Sequence, residues 1–263
     1  MSIFKQIDRR NNMTKQLTVL ISGGTSGVGK AIAKSFAQRN ADVTLIGRNV
    51  ARAQQAVTEL QQLTGNPNIS YLIGDLADKR ANQKLADEFK LTHAHLDVLV
   101  NSAGSIPKTA TENINLNLRS HYWLTHNLVD LLSAAPTMAH VFIITGMPLA
   151  IYLGPIYERQ NTLLDRGLWL LTHKTLLVRL LADQLSSHHV AVNALFPGGV
   201  QSNLSSWNQS VSNNEVLAAA RVVTDPQLQT ITGGFFSDKA RSISLNHRKY
   251  SVARAKKILT PYL

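Results

Sequence analysis

The chain has 263 residues, 44% of them hydrophobic, with 27 Lys and Arg against 16 Asp and Glu, a net charge of +11 and no cysteine. That length accommodates one large α/β domain with a substantial core. The lack of cysteine excludes disulfides and thiolate metal ligation and fits a reducing cytoplasm, and no apolar run approaches the roughly 20 residues of a membrane-crossing helix.

Residues 1–12 (MSIFKQIDRRNN) are polar and charged, without the apolar stretch of a secretory signal. They read as a disordered extension, with the folded domain over 13–263. From Leu17 to Phe36 the chain reads strand (LTVLI), glycine turn (SGGTSGVG) and helix (KAIAKSF). The N–H groups of such a turn and of the helix N-terminus have no partners of their own and carry a favourable dipole, so they suit a pyrophosphate. Further strands are expected at 42–47, 69–73, 97–101, 139–145, 190–195 and 233–236. Helices are expected at 28–39, 50–62, 80–90, 112–134, 160–186, 214–222 and 250–260. Strict alternation of β and α elements implies a parallel sheet with helices on both faces, and the strands are continuous apolar runs, as strands covered on both sides are. The fold class is therefore α/β, a Rossmann-type doubly wound, mainly parallel seven-stranded sheet. The helix at 160–186 is leucine-rich around nearly its whole circumference, which calls for burial on all sides. A second subunit is the expected cover, so a homo-oligomer, and the alternative is the chain's own C-terminal segment.

The charge is uneven. Residues 1–20 and 238–263 together carry nine of the eleven excess positive charges. Attraction to nucleic acid or anionic lipid is one explanation. A solvated basic C-terminal tail is the preferred one, since the segment has few aromatics and no recognised nucleic-acid module. His188 and His189, adjacent in a turn with no carboxylate nearby, do not make a metal site, and no metal is expected.

Gly23-x-x-x-Gly27-x-Gly29, Asp75-Leu76, Asn101-Ser102-Ala103-Gly104, Asn117, Lys174 and Pro197-Gly198 occur in the order and spacing of the short-chain dehydrogenase/reductase family. The chain resembles that family from about residue 16 to its C-terminus, and the closing segment DPQLQTITGGFFSDKA, followed by a basic helix, looks most like the retinol-dehydrogenase-like branch. The resemblance implies a dinucleotide whose pyrophosphate is approached by Gly23, Gly27 and Gly29, with Val28 in the same turn, and whose adenine meets Asp75 and Leu76; the Thr25 and Ser26 hydroxyls can add donors toward a 2′-phosphate. It places Asn101, Ala103, Gly104 and Lys174 along the ribose, and Pro197, Gly198, Val200 and Ser202 beside the nicotinamide. Arg48 and Asn49 end the second strand, where an acidic residue would favour a 2′-hydroxyl. No acid stands at 47 or 48. An arginine suits a 2′-phosphate, so NADP(H) is expected over NAD(H).

The family's proton chemistry depends on Tyr-x-x-x-Lys and a serine after the fifth strand. Here Lys174 is retained, the tyrosine position is Leu170 and the serine position is Gly146, while Asn117 matches the fourth catalytic position. Thr145, Tyr152 and Tyr157 are the candidate substitutes, the two tyrosines on the loop that roofs the family's substrate pocket. His173, next to Lys174 on a helix, points about 100° away. Two function classes follow: an NADP(H)-dependent oxidoreductase on a carbonyl, alcohol or activated double bond with a non-standard proton donor, or a catalytically degenerate cofactor-binding sensor or scaffold. A nucleic-acid-associated role for the basic ends is a third.

Overall fold

β1 (Thr18–Ser22) is a run of five buried residues, and its neighbours on both sides are parallel strands. In the computed structural model, which describes residues 16–202 and 209–263, seven strands form one parallel sheet. They are β1, β2 (Asp42–Gly47), β3 (Ile69–Ile73), β4 (Val98–Asn101), β5 (Ala139–Ile144), β6 (Val190–Leu195) and β7 (Phe235–Phe236), in the order β3-β2-β1-β4-β5-β6-β7. The order reverses between β1 and β4, and a crevice opens there at the carboxyl ends of the strands, where ligands of such sheets bind. The expected extension at 1–12 lies outside the described residues.

One face of the sheet carries α1 (Gly27–Ala37), α2 (Val50–Thr64) and, later in the chain, α9 (Ala218–Thr224). The other carries α3 (Lys79–Lys90), α4 (Ala110–Ile114), α5 (Ser120–Asn127), α6 (Val129–Ser133) and α8 (Leu163–Gln184), with α7 (Pro148–Leu153) and α10 (Val252–Leu259) outside them. The long helix expected at 112–134 is broken. A π turn at Asn115–Arg119 separates α4 from α5, and it holds Asn117. Such turns concentrate at functional sites because they re-aim one side chain. Helix α7 was not anticipated; Pro148 at its first turn supplies the fixed φ that starts it, and it puts Tyr152 on a helix rather than on a loop.

Helix α8 begins at Thr162, whose side chain caps the Asp165 N–H while Asp165 caps Thr162 in return. From Trp169 to Ala182 it is largely buried. Its outer side is covered by α10, through Ala255 and Leu259, and by Tyr250. The chain's own C-terminal segment therefore takes the place where the sequence suggested a second subunit, and that argument for a homo-oligomer falls. The same segment corrects the expectation of a solvated tail, because α10 is an amphipathic helix docked through Ala255 and Leu259 with Arg254, Lys256 and Lys257 exposed. Leu259→Ala is expected to remove about 2–5 kcal/mol of stability, measured by urea denaturation.

Candidate cofactor and active site

The crevice is built first by small residues. Ser22, at the end of β1, accepts hydrogen bonds from the Ser102 and Ala103 N–H groups at 3.0 and 3.1 Å, which ties the ends of β1 and β4 together. Gly23 turns with φ +66°, and a Cβ there would lie 2.8 Å from the Ala103 Cα. A Cβ on Gly29 would lie 2.3 Å from the Gly23 carbonyl oxygen, so α1 sits directly on the turn. Ser26 makes no side-chain cap, which leaves the first N–H groups of α1 open to an anion. Ser202 closes over the turn from the far side, 2.8 Å from where a Gly27 Cβ would stand. Val28 is partly buried in the first turn of α1.

Beside this turn, Thr25 packs against Gly47 at the end of β2. Arg48 follows, exposed, and Asn49 spends its side-chain oxygen on capping the Arg52 N–H at 2.9 Å. A cavity of about 540 Å³ runs from Thr25, Ser26 and Gly27 past Lys30, Lys34 and Arg52 to Gln201 and Ser202. The sequence reading missed these three cations; a basic residue recurring along α1 at positions 30 and 34 was the available signal. Lys30 pairs with Glu59, and Lys34 lies 3.0 Å from Glu215. On the adenine side, Asp75 is exposed and turns its own loop by accepting from the Ala77 N–H, and Leu76 is buried in the core.

Gly104, Asn117 and Lys174 converge. A Cβ on Gly104 would stand 2.8 Å from Asn117 Oδ1 and 3.9 Å from Lys174 Nζ. Asn117 clamps Ser105 from both sides, accepting from its N–H and donating to its carbonyl, each at 3.1 Å. Lys174 Nζ donates to the Ile144 carbonyl at 3.1 Å, and burial lowers its pKa to about 7. His121 was not singled out from the sequence. It is fully buried, hydrogen-bonded through Nε2 to the Ala103 carbonyl at 2.8 Å, and kept neutral by burial and by the charge of Lys174. Three buried polar atoms in this region lack partners: Asn101 Oδ1, His121 Nδ1 and Thr145 Oγ1. Pro197 and Val200 are buried after β6, and Gly198 turns there with φ +76°. The residues fit a dinucleotide: a cradle whose shape depends on missing Cβ atoms, an open helix N-terminus and orphaned polar atoms at the ribose end. Gly23, Gly27 and Gly29 would hold its pyrophosphate and Asn101, Gly104 and Lys174 its second ribose.

Around Gly146 and Leu170 the wall is apolar. A Cβ on Gly146 would come within 2.2 Å of Leu171 Cδ2, so Leu171 occupies the space that a side chain at 146 would need. Leu170, one helical turn before Lys174, is partly buried and offers no proton. Thr145 is buried, and alternation along β5 puts it on the α8 side with Ile143. Tyr152 is exposed. The Tyr157 hydroxyl folds over Gly154, 2.8 Å from where a Cβ would be, and lies near Tyr250. His173 faces away as expected, stacked on Trp169 at 3.8 Å with Tyr262 edge-on. Among the described residues no group of three His, Cys, Asp or Glu gathers as a metal site.

The fold and crevice define a Rossmann-type dinucleotide-binding protein. The sequence profile described as short chain dehydrogenase matches residues 17–145. Human retinol dehydrogenase 11 is 32% identical over 200 residues, which is 71% of this chain and 62% of that protein. Human polyprenol dehydrogenase is 28% identical over 203 residues, 70% of this chain and 61% of its own length. The match thus spans less than two thirds of these relatives. L-sorbose reductase from Gluconobacter frateurii, solved with NADPH and L-sorbose, shares the fold with a TM-score of 0.68 at 16% identity, over 84% of this chain and 94% of that one. This chain belongs to the short-chain dehydrogenase/reductase family, and its sequence is retinol-dehydrogenase-like.

Proposed function

We propose that this protein is an NADP(H)-dependent oxidoreductase acting on a carbonyl, an alcohol or an activated double bond, with a proton source other than the family's tyrosine. The observation that carries the reading is the convergence of Asn117 Oδ1 and Lys174 Nζ within 4 Å of where a Gly104 Cβ would stand, which supports a ribose end kept for the cofactor, with Gly146 and Leu170 read as the serine and tyrosine positions. The cofactor supplies the hydride. In this reading Thr145, whose buried hydroxyl lacks a partner, would orient a carbonyl, while Lys174, with its pKa near 7, or water would supply the proton. Tyr152 and Tyr157 rank behind Thr145 as substitutes, the first exposed and the second folded over its own loop.

One observation favours the second function, a cofactor-occupied sensor or scaffold: Leu171 lies where a side chain on Gly146 would stand, so that position is filled as well as lacking a hydroxyl. NADPH titration followed by a carbonyl and enone panel separates the two. Turnover lost on Thr145→Val supports the enzyme. Tight binding with no turnover supports the sensor.

Cofactor choice rests on Arg48, with Thr25, Lys30 and Arg52 lining the cavity at the glycine turn. Arg48→Glu is expected to weaken NADPH binding roughly ten- to hundred-fold, as loss of a charged hydrogen bond does, and to leave NADH binding nearly unchanged. Calorimetric titration of both cofactors checks it; equal weakening of the two would place the 2′-phosphate elsewhere.

A further inference from the structure

We propose that Asn113 and Arg166 are positioning residues that couple the ribose end of the crevice to the entry of α8, so that a nucleotide held at Gly104 also orders residues 160–166. The proposal rests on the cofactor reading and is independent of turnover.

Residues 102–109, after β4, and 154–162, before α8, form neither helix nor strand. Segments without regular backbone pairing depend on side chains supplied by other elements. In the first segment, Asn117 takes the Ser105 N–H and carbonyl. Glu112 takes the Lys108 N–H at 2.8 Å and the Ser105 hydroxyl at 3.1 Å. Arg166 donates to the Pro107 carbonyl at 2.9 Å. In the second segment, the same guanidinium donates to the Gln160 and Asn161 carbonyls, each at 3.3 Å. One half-buried arginine thus ties both segments together by charge-assisted bonds.

Asn113 makes a second tie, deeper in. It is wholly buried on α4, and its amide is used at both ends. Its Oδ1 accepts from Asn117 Nδ2 at 3.0 Å, while its Nδ2 donates to Gln160 Oε1 at 2.8 Å and to the Arg166 carbonyl at 3.0 Å. Asn117 in turn spends both of its N–H bonds on the Ser105 carbonyl and on Asn113, and its oxygen on the Ser105 N–H. That oxygen also faces Gly104, 2.8 Å from where a Cβ would stand. The path from Gly104 through Ser105, Asn117 and Asn113 to Gln160 is therefore continuous, and each amide fixes the orientation of the next.

Local openings that share contacts are coupled. A ligand that restrains Gly104 and Ser105 raises the cost of opening 160–166 through these links. By reciprocity, affinity gained from the coupling is lost when the links are cut.

The test is amide hydrogen exchange on the full chain with and without saturating NADPH, together with calorimetric titration. NADPH is expected to slow exchange at 23–29 and 104–105, and also about ten-fold at 160–166, a typical size for coupling between sites. Asn113→Ala with Arg166→Met is expected to abolish the slowing at 160–166, keep it at 23–29, and weaken NADPH binding roughly five- to ten-fold. Arg166→Lys, which keeps the charge and can still reach one carbonyl, is expected to retain part of both effects. Gln160→Leu with Arg166→Met spares the buried amide of Asn113; it is expected to lose most of the slowing and serves where the first variant melts below the assay temperature. A purely structural role would raise exchange at 160–166 equally in free and bound chains and leave the affinity unchanged, and that result overturns the proposal. In the wild type, slowing at 23–29 without slowing at 160–166 overturns the coupling alone. No slowing in either place overturns the cofactor reading as well.

Discussion

Lys174→Met is expected to make the cofactor-free protein more stable at pH 6, by roughly 3–5 kcal/mol, and to abolish a rise in stability between about pH 7 and pH 10. Lys174 is 6% exposed, its one hydrogen bond goes to the Ile144 carbonyl, and no carboxylate compensates its charge. Burial alone lowers its pKa from 10.5 to about 7. Between those values the unfolded chain binds a proton that the folded chain does not, so the wild-type protein gains stability as pH rises through the window and carries the full penalty below it. Lys249 is lowered in the same direction by partial burial, so the wild-type slope alone is ambiguous and the variant isolates Lys174. The buried histidines act elsewhere: His140 and His173, lowered to about 4 by burial, withdraw stability only as pH falls below 6.5. Urea denaturation across pH measures the effect. A variant as pH-dependent as the wild type would mean that Lys174 is solvated or paired. The same variant is expected to bind NADPH more weakly, so the retained lysine is kept at the expense of stability, the usual mark of a working group.

Gly146→Ser combined with Leu170→Tyr is expected to raise carbonyl reductase activity by about 10²–10⁴-fold, the range for a positioned acid/base. The tyrosine would stand one turn before Lys174, on the same face of α8. The serine alone is a different matter. Its Cβ would fall 2.2 Å from Leu171 Cδ2, and unless that methyl swings away the overpacking costs about 1–3 kcal/mol. Adding Leu171→Ala is therefore expected to restore stability to the Gly146→Ser background and to give the larger gain in turnover. NADPH oxidation with a ketone panel and thermal melts of the single, double and triple variants check both parts. A triple variant that folds, binds NADPH and shows no gain would place the reacting carbon away from Gly146 and Leu170.

The seven strands were legible in the sequence because each is an apolar run closed by a turn, and six of the seven fall within one residue of expectation at each end. The exception is β7, two residues long, where Gly233 and Gly234 precede the only two that pair with β6. The glycine turn was legible for a similar local reason, since strand, turn and helix lie together in the chain. Helix 112–134 was misjudged because a π turn has no sequence period of its own. Asn117 was found by its motif, but its clamp on Ser105 depends on that turn.

By itself, then, the sequence determined the sheet and the crevice, both of which follow from local patterning and residue identity. The tertiary structure decided what covers α8 and what fills the space left by Gly146. A leucine-rich helix must be buried, but its sequence does not name the surface that buries it; here that surface is α10, from the far end of the chain. A glycine removes a side chain, but only packing shows that Leu171, contributed by another element, has taken its place.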